Sequence, residues 1–242
     1  MSNKSCLNCG HLLSDEFCSH CGQKSNTERI TLHSLIKNDI LGSIWHVETK
    51  FFQTIKNVLF RPGKTAMDYI SGKRIRYNNF ISLLLILFSF NVLGLHFYEK
   101  FAPQETLAQS SDIKAFFSKY SKAILFVIIP MLAINAYFLF KKVKLNIAEH
   151  FIIGTVSLLG ILILFLLDDI VSLIGLWKPI SMIFNIIDKI IFGLFILFPA
   201  ITYWNAFKDS YSNPGLLWRV SVFYVLMGLE ISIISFILYE IF

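Results

Sequence analysis

Residues 148–167 read AEHFIIGTVSLLGILILFLL, and from Phe151 to Leu167 no side chain is ionisable. A helix needs ~20 mostly apolar residues to cross the hydrocarbon core of a bilayer, and this stretch supplies them. Four more stretches read the same way: Phe80 to Tyr98, Ala123 to Phe140, about Ile190 to Trp204 with a start open to earlier residues, and Leu216 to Tyr239. The expectation is an all-α integral membrane protein with about five spans. The region from Asp168 to Lys189 is apolar but broken by Trp177-Lys178-Pro179 and bracketed by Asp168-Asp169 and Asp188-Lys189. It either extends the third and fourth spans, lies along the interface, or crosses by itself as a sixth span.

The whole chain agrees with its spans. It has 242 residues, of which 55% are hydrophobic and 16% charged, against ~45–50% and ~25% in soluble globular chains. The polar and charged groups concentrate before residue 79. Three parts follow: 1–24, a small cysteine module; 25–78, linker and juxtamembrane helices; and 79–242, the transmembrane bundle. The polar start Met1–Gly10 lacks the apolar run of a signal peptide, so the first span is expected to target the chain. Basic residues select the cytoplasmic side. Lys141, Lys142, Lys144, Lys208 and Arg219 join the basic N-terminal segment when the N-terminus is inside, and the C-terminus is then outside for five spans.

All four cysteines lie near the N-terminus, as Cys6-x2-Cys9-Gly10 and Cys18-x2-Cys21-Gly22. A two-residue spacer lets one tight turn aim two sulfurs at one point, and the trailing Gly permits positive φ. Two such knuckles make a closed four-thiolate site, which suits one structural zinc ion with no open coordination position. The alternative is two disulfides, which would require an oxidising compartment; the expected cytoplasmic N-terminus argues against it. His11 and His20 stand beside this ligand set as bystanders. The ribbon has only Lys4 and Lys24 as basic flanks, so a protein partner is expected for it rather than nucleic acid.

Between ribbon and membrane, Thr31 is a candidate N-cap ahead of the stripe Leu32, Leu35, Ile36, Ile40, Leu41. A second stripe is Phe51, Phe52, Ile55, Val58, Leu59 and Phe60, with Lys50 and Lys56 off it. Such helices either lie in the membrane interface or pack on the bundle. Arg61-Pro62-Gly63 breaks the second helix. Thr65 is a candidate N-cap for a short helix that Gly72 ends, with Asp68 three residues on. Arg61, Lys64, Lys73, Arg74 and Arg76 are the candidate contacts to anionic lipid head groups. In one reading the elbow lays Phe51, Phe52, Ile55 and Leu59 on the acyl chains; in the other it is a purely structural turn.

Ionisable groups at membrane depth are expensive. Glu149, His150, Asp168 and Asp169 fall at the two ends of the third span, near water. Glu230 falls near the middle of the last span and is the candidate buried carboxylate. Asn91, Asn135 and Asn205 suit hydrogen bonds between helices. No paired span carboxylates, His-x-x-x-His motif, nucleophile elbow or phosphate loop occurs in the sequence, and no catalytic residue is assigned.

The segment Phe51-Phe52-x-Thr54-x-Lys56-Asn57-Val58-Leu59-Phe60-Arg61-Pro62-Gly63, with Tyr69-Ile70-x-Gly72-Lys73-Arg74-x-Arg76-Tyr77, resembles the bacterial membrane proteins grouped as domain of unknown function 3667. Those also begin with a Cys-x2-Cys-Gly…Cys-x2-Cys-Gly ribbon and continue into several spans. The likeness covers residues 6 to about 90 and implies a bacterial inner-membrane protein with no assigned activity. The Pro-Gly break before a five-span bundle is also similar in architecture to the Yip1-type membrane proteins, which are non-enzymatic and act in membrane traffic. The reading that follows is a non-enzymatic multi-pass membrane protein, contacting lipid and using its zinc ribbon to meet a partner. The alternatives are a small transporter or channel subunit built on Glu230, and a lipid-modifying enzyme using Glu149, His150 and Asp168.

Overall fold

A computed structural model describes residues 4–25, 27, 29–34, 50–101, 127–175 and 181–241. Beyond a one-turn helix at Leu32–Ser34, seven helices are named here in chain order: α1 (Phe51–Phe60), α2 (Pro62–Ile70), α3 (Phe80–Phe101), α4 (Val127–Leu139), α5 (Ile147–Gly175), α6 (Ser181–Phe207) and α7 (Asn213–Ile241). No β-strand occurs among the described residues, only isolated bridges within the cysteine module. Four stretches are long and apolar enough to cross a membrane: Arg74–Gly94, Ile147–Gly175, Met182–Phe207 and Asn213–Ile234. The remaining expected span is described only from Val127, as the shorter apolar helix α4. Residues 168–175 and 181–189 extend α5 and α6, so the ambiguous region lengthens its two neighbours on either side of residues 176–180, which lie outside the described set.

The stretch that announces a membrane protein is also the centre of the bundle. Every residue of α5 from Ala148 to Leu164 is buried except Phe151. Helices α3 and α6 flank α5, while α1 and α2 pack near its N-terminal end. Small residues and amides set these contacts, as expected where lipid offers no hydrophobic drive between helices. A Cβ on Gly160 would lie 1.9 Å from the Phe198 ring, so α6 approaches α5 at that point as only Gly permits. Asn91 on α3 donates to the Leu162 carbonyl of α5 at 3.1 Å, as expected for a span asparagine. Pro199 interrupts the α6 hydrogen-bond ladder from within. The Tyr224 hydroxyl of α7 fills the gap, accepting from the Ala200 N–H at 3.1 Å and donating to the Ile196 carbonyl at 2.6 Å. That insertion satisfies backbone groups that lipid could not.

The end of the bundle holding α1 and α2 is aromatic inside and basic outside. Phe140 stacks on Tyr203 at 5.7 Å and packs against Phe207 at 4.6 Å. Lys142 donates its N–H to the Tyr211 hydroxyl at 3.0 Å, and Arg219 donates to the Leu139 carbonyl at 3.0 Å. The loops carrying Lys141, Lys142, Lys144 and Lys208 thus meet at one end, together with Arg219.

Two local readings change. Thr65 does not cap α2: the helix starts with Pro62 at its first turn, where the missing N–H costs nothing. Thr65 instead donates its hydroxyl to the carbonyls of Asn57 and Arg61, at 3.1 and 2.9 Å, and clips the α1–α2 elbow together. Glu149 and His150 are not near water but buried, 3% and 1% exposed. Asn146 and Glu149 form a reciprocal cap at the start of α5: Glu149 N–H to Asn146 Oδ1 at 2.9 Å, Asn146 N–H to Glu149 Oε2 at 2.8 Å. Thr31 does cap its short turn, accepting from the Ser34 N–H at 3.2 Å; the rest of that expected stripe, within 35–49, lies outside the described residues.

Candidate metal centre and its mount on the membrane stem

The cysteine module is one short motif used twice, twelve residues apart. In the first copy the Cys6 N–H donates to the His11 carbonyl and the Gly10 N–H to the Cys6 carbonyl, both at 2.8 Å. In the second, the Cys18 N–H donates to Gln23 and the Gly22 N–H to Cys18, again at 2.8 Å. Gly10 and Gly22 take φ of 77° and 74°, the left-handed turn that the spacing implied. The repeat brings four sulfurs together from both knuckles. All lie within 4.8 Å of one another, with Cys6–Cys21 and Cys9–Cys18 at 3.6 Å. A tetrahedral ion with ~2.3 Å metal–sulfur bonds needs sulfurs ~3.8 Å apart, so the four free thiols can hold one metal ion. His11 and His20 stack on each other, ring centroids 5.6 Å apart, and stand outside the sulfur cluster.

The donors differ in readiness. Hydrogen bonds from the Asn8 side chain and then from the Gln23 backbone lower the Cys21 thiol to about 6. Cys9 is pushed up to about 12, despite a favourable backbone hydrogen bond at His11, by burial and by sharing hydrogen bonds with the other sulfurs. A metal binds thiolate rather than thiol, so of these two donors Cys21 is the readier to bind one.

The module rests on the stem between α2 and α3. Gly72 has φ of 98°, and a Cβ there would lie 2.5 Å from Leu7 Cδ1, so the ribbon sits against the α2 terminus. Arg76 donates Nε to Asn8 Oδ1 at 2.6 Å and Nη2 to the Asn8 carbonyl at 3.2 Å. Asn8 thereby links the stem to Cys21. The Ile75 N–H points to Gln23 Oε1 at 3.4 Å. A second tether holds the linker: Arg29 donates Nε and Nη2 to the two Glu149 oxygens, each at 2.8 Å, and Nη2 to the Lys144 carbonyl at 2.8 Å. Asn146 Nδ2 donates to the Ile30 carbonyl at 2.9 Å, and Ile30 is buried in the bundle core.

This mount divides the five basic candidates. Lys73 pairs with Asp68 at 2.9 Å, Arg74 lies over the Tyr69 ring at 5.7 Å, and Arg76 holds the ribbon. Arg61 and Lys64 are exposed. Helix α1 turns Val58 inward and packs Phe51, Ile55 and Leu59 on the core, leaving Phe52 and Phe60 exposed. Glu230 is half-buried and accepts from Asn135 Nδ2 at 2.7 Å. Glu149 and Asp168 are separated by 19 residues of one helix, ~28 Å of rise, and do not share a site. The tethers Asn8, Gln23 and Arg29 carry no signal in the sequence, whereas the Asn146-x-x-Glu149 spacing, that of a capping box, could have flagged Asn146.

Residues 48–91 match the model of a family described as protein of unknown function (DUF3667). The match takes in α1, α2, the stem that carries the ribbon, and the first half of α3, and it leaves the cysteine module outside. No curated protein and no solved structure matches the chain.

Proposed function

We propose that this is a non-enzymatic multi-pass protein of the bacterial inner membrane. Its cysteine module holds one structural zinc ion and presents a fixed surface to a protein partner in the cytoplasm. The observation that carries this reading is the pairing of a closed four-sulfur cluster with a rigid mount. Asn8 and Gln23 are spent on the stem, while Leu12 and Phe17 stay exposed on the ribbon, at 62% and 56%. A closed site offers no position for substrate, so its product is shape. The gathering of Lys141, Lys142, Lys144, Lys208 and Arg219 at the ribbon's end of the bundle supports a cytoplasmic N-terminus by the positive-inside rule. A photo-crosslinking residue at Leu12 or Phe17, in living cells, is expected to capture a discrete partner. The same residue at Gln23, which is buried against the stem, or in a Cys18→Ser background is expected not to. Equal labelling at all positions, or none, would remove the partner reading.

Lipid is the second contact, and Arg61 and Lys64 carry it. They are exposed, as are Phe52, Lys56 and Phe60 of α1. Each basic residue near an anionic leaflet contributes ~1 kcal/mol, about fivefold in affinity. Arg61→Gln with Lys64→Gln is expected to reduce retained anionic lipid, measured by native mass spectrometry, and Arg76→Gln is expected not to. The reverse order would place the lipid contact on the stem instead.

A further inference from the structure

Helix α7 meets the bundle along one side only. Leu216 and Phe223 are buried, while Val225, Leu229, Ile233 and Phe236 are exposed. Its depth is marked by Arg219, whose guanidinium reaches the Leu139 and Gly215 carbonyls and lies 4.4 Å from the Tyr211 ring. Glu230 stands eleven residues further on, ~16 Å of helix rise, near the middle of a ~30 Å hydrocarbon core. Across from it, Asn135 is buried and donates Nδ2 to Glu230 Oε2 at 2.7 Å. No other hydrogen bond or ion pair of this carboxylate is present among the described residues. Beside the pair lies an open groove of about 420 Å³, walled by Val127, Pro130, Met131, Ile233 and Ile234, with Glu230 as its acidic group.

A carboxylate at membrane depth stays ionised only when a countercharge pairs with it, and otherwise takes up a proton. The Asn135 amide supplies one donor and no charge, leaving Oε1 available. An anion would be repelled. A hydrated metal ion would find too few oxygens among these apolar walls. A cation with an apolar body satisfies both halves of the site, and the volume lies within the range of small-molecule pockets, ~300–1,000 Å³. We propose that the α4–α7 groove binds a lipophilic organic cation, its charge paired with Glu230 and its body against the five apolar walls. Entry is from the bilayer, along the exposed flanks of α4 and α7. The inference does not depend on the ribbon or on its metal.

The test uses the full chain in lipid nanodiscs, with tritiated tetraphenylphosphonium as probe and uncharged triphenylphosphine oxide as competitor. The expected result is saturable binding of one probe per chain that the neutral competitor does not displace. Glu230→Gln keeps the size and can still meet the Asn135 amide, and it is expected to weaken binding by about tenfold or more. Glu230→Asp, which keeps the charge, is expected to hold most of the affinity. Undiminished binding to Glu230→Gln would overturn the proposal. So would equal loss in Glu230→Asp, equal competition by the neutral analogue, or no saturable binding to the parent protein.

Discussion

Cys18→Ser is expected to reduce bound metal from one ion per chain to near none and to unfold the N-terminal module, leaving the helical bundle intact. Cys18 is 2% exposed and lies 3.6 Å from Cys9 within the sulfur cluster, and a serine hydroxyl does not replace a thiolate at neutral pH. Some twenty residues cannot bury a core of their own. In modules of this size the metal supplies the folding free energy, ~10–16 kcal/mol for structural zinc. The bundle core includes Ile30 of the linker but no residue of the cysteine module, so the damage should stop there. Elemental analysis, with limited proteolysis mapping cuts before residue 30, measures both effects; far-ultraviolet circular dichroism should change little. His11→Ala and His20→Ala are expected to keep the metal. A Cys18→Ser protein that retains one ion and resists the protease would show that the four-sulfur cluster is not the site.

Gly63→Val is expected to destabilise the bundle by ~3 kcal/mol or more, the upper end of overpacking costs, lowering the unfolding temperature in detergent by roughly 6–12 °C. A Cβ at Gly63 would lie 2.2 Å from the Ala206 nitrogen, 2.4 Å from the Thr202 carbonyl oxygen and 2.6 Å from the Asn205 carbonyl carbon. These are backbone atoms of α6, and they cannot rotate aside as a side chain would. Gly63→Ala already meets them. Gly228→Ala on α7 is the matched control, because nothing lies within 4 Å of its added carbon. Unchanged unfolding of Gly63→Val would mean that the α1–α2 elbow does not seat on α6. The structure thus favours a packed elbow over a helix lying free on the lipid, while Phe52 and Phe60 still face outward.

Much of this molecule is legible without coordinates because the relevant physics is local. Apolar length marks the helices that can cross a bilayer, and Phe80, Ala148 and Leu216 each fall within a few residues of a helix start. The Cys-x2-Cys-Gly spacing specifies the two turns, since only left-handed glycines let both sulfurs of a knuckle face one point. Pro62 and Gly72 mark where α1 and α2 end, because neither fits an uninterrupted helix. What hydropathy could not reveal is which apolar helix is wrapped by protein and which by lipid. Both environments select Leu, Ile, Val and Phe alike, so α5 at the centre and α7 at the margin read the same. Pairings across long separations were equally hidden. Arg29 with Glu149, Arg76 with Asn8 and Asn135 with Glu230 join residues 120, 68 and 95 positions apart. No local pattern encodes such pairs. They exist because folding brings a donor and a carboxylate or amide to one place where leaving either unpaired would be costly, and only the tertiary structure decides which residues those are.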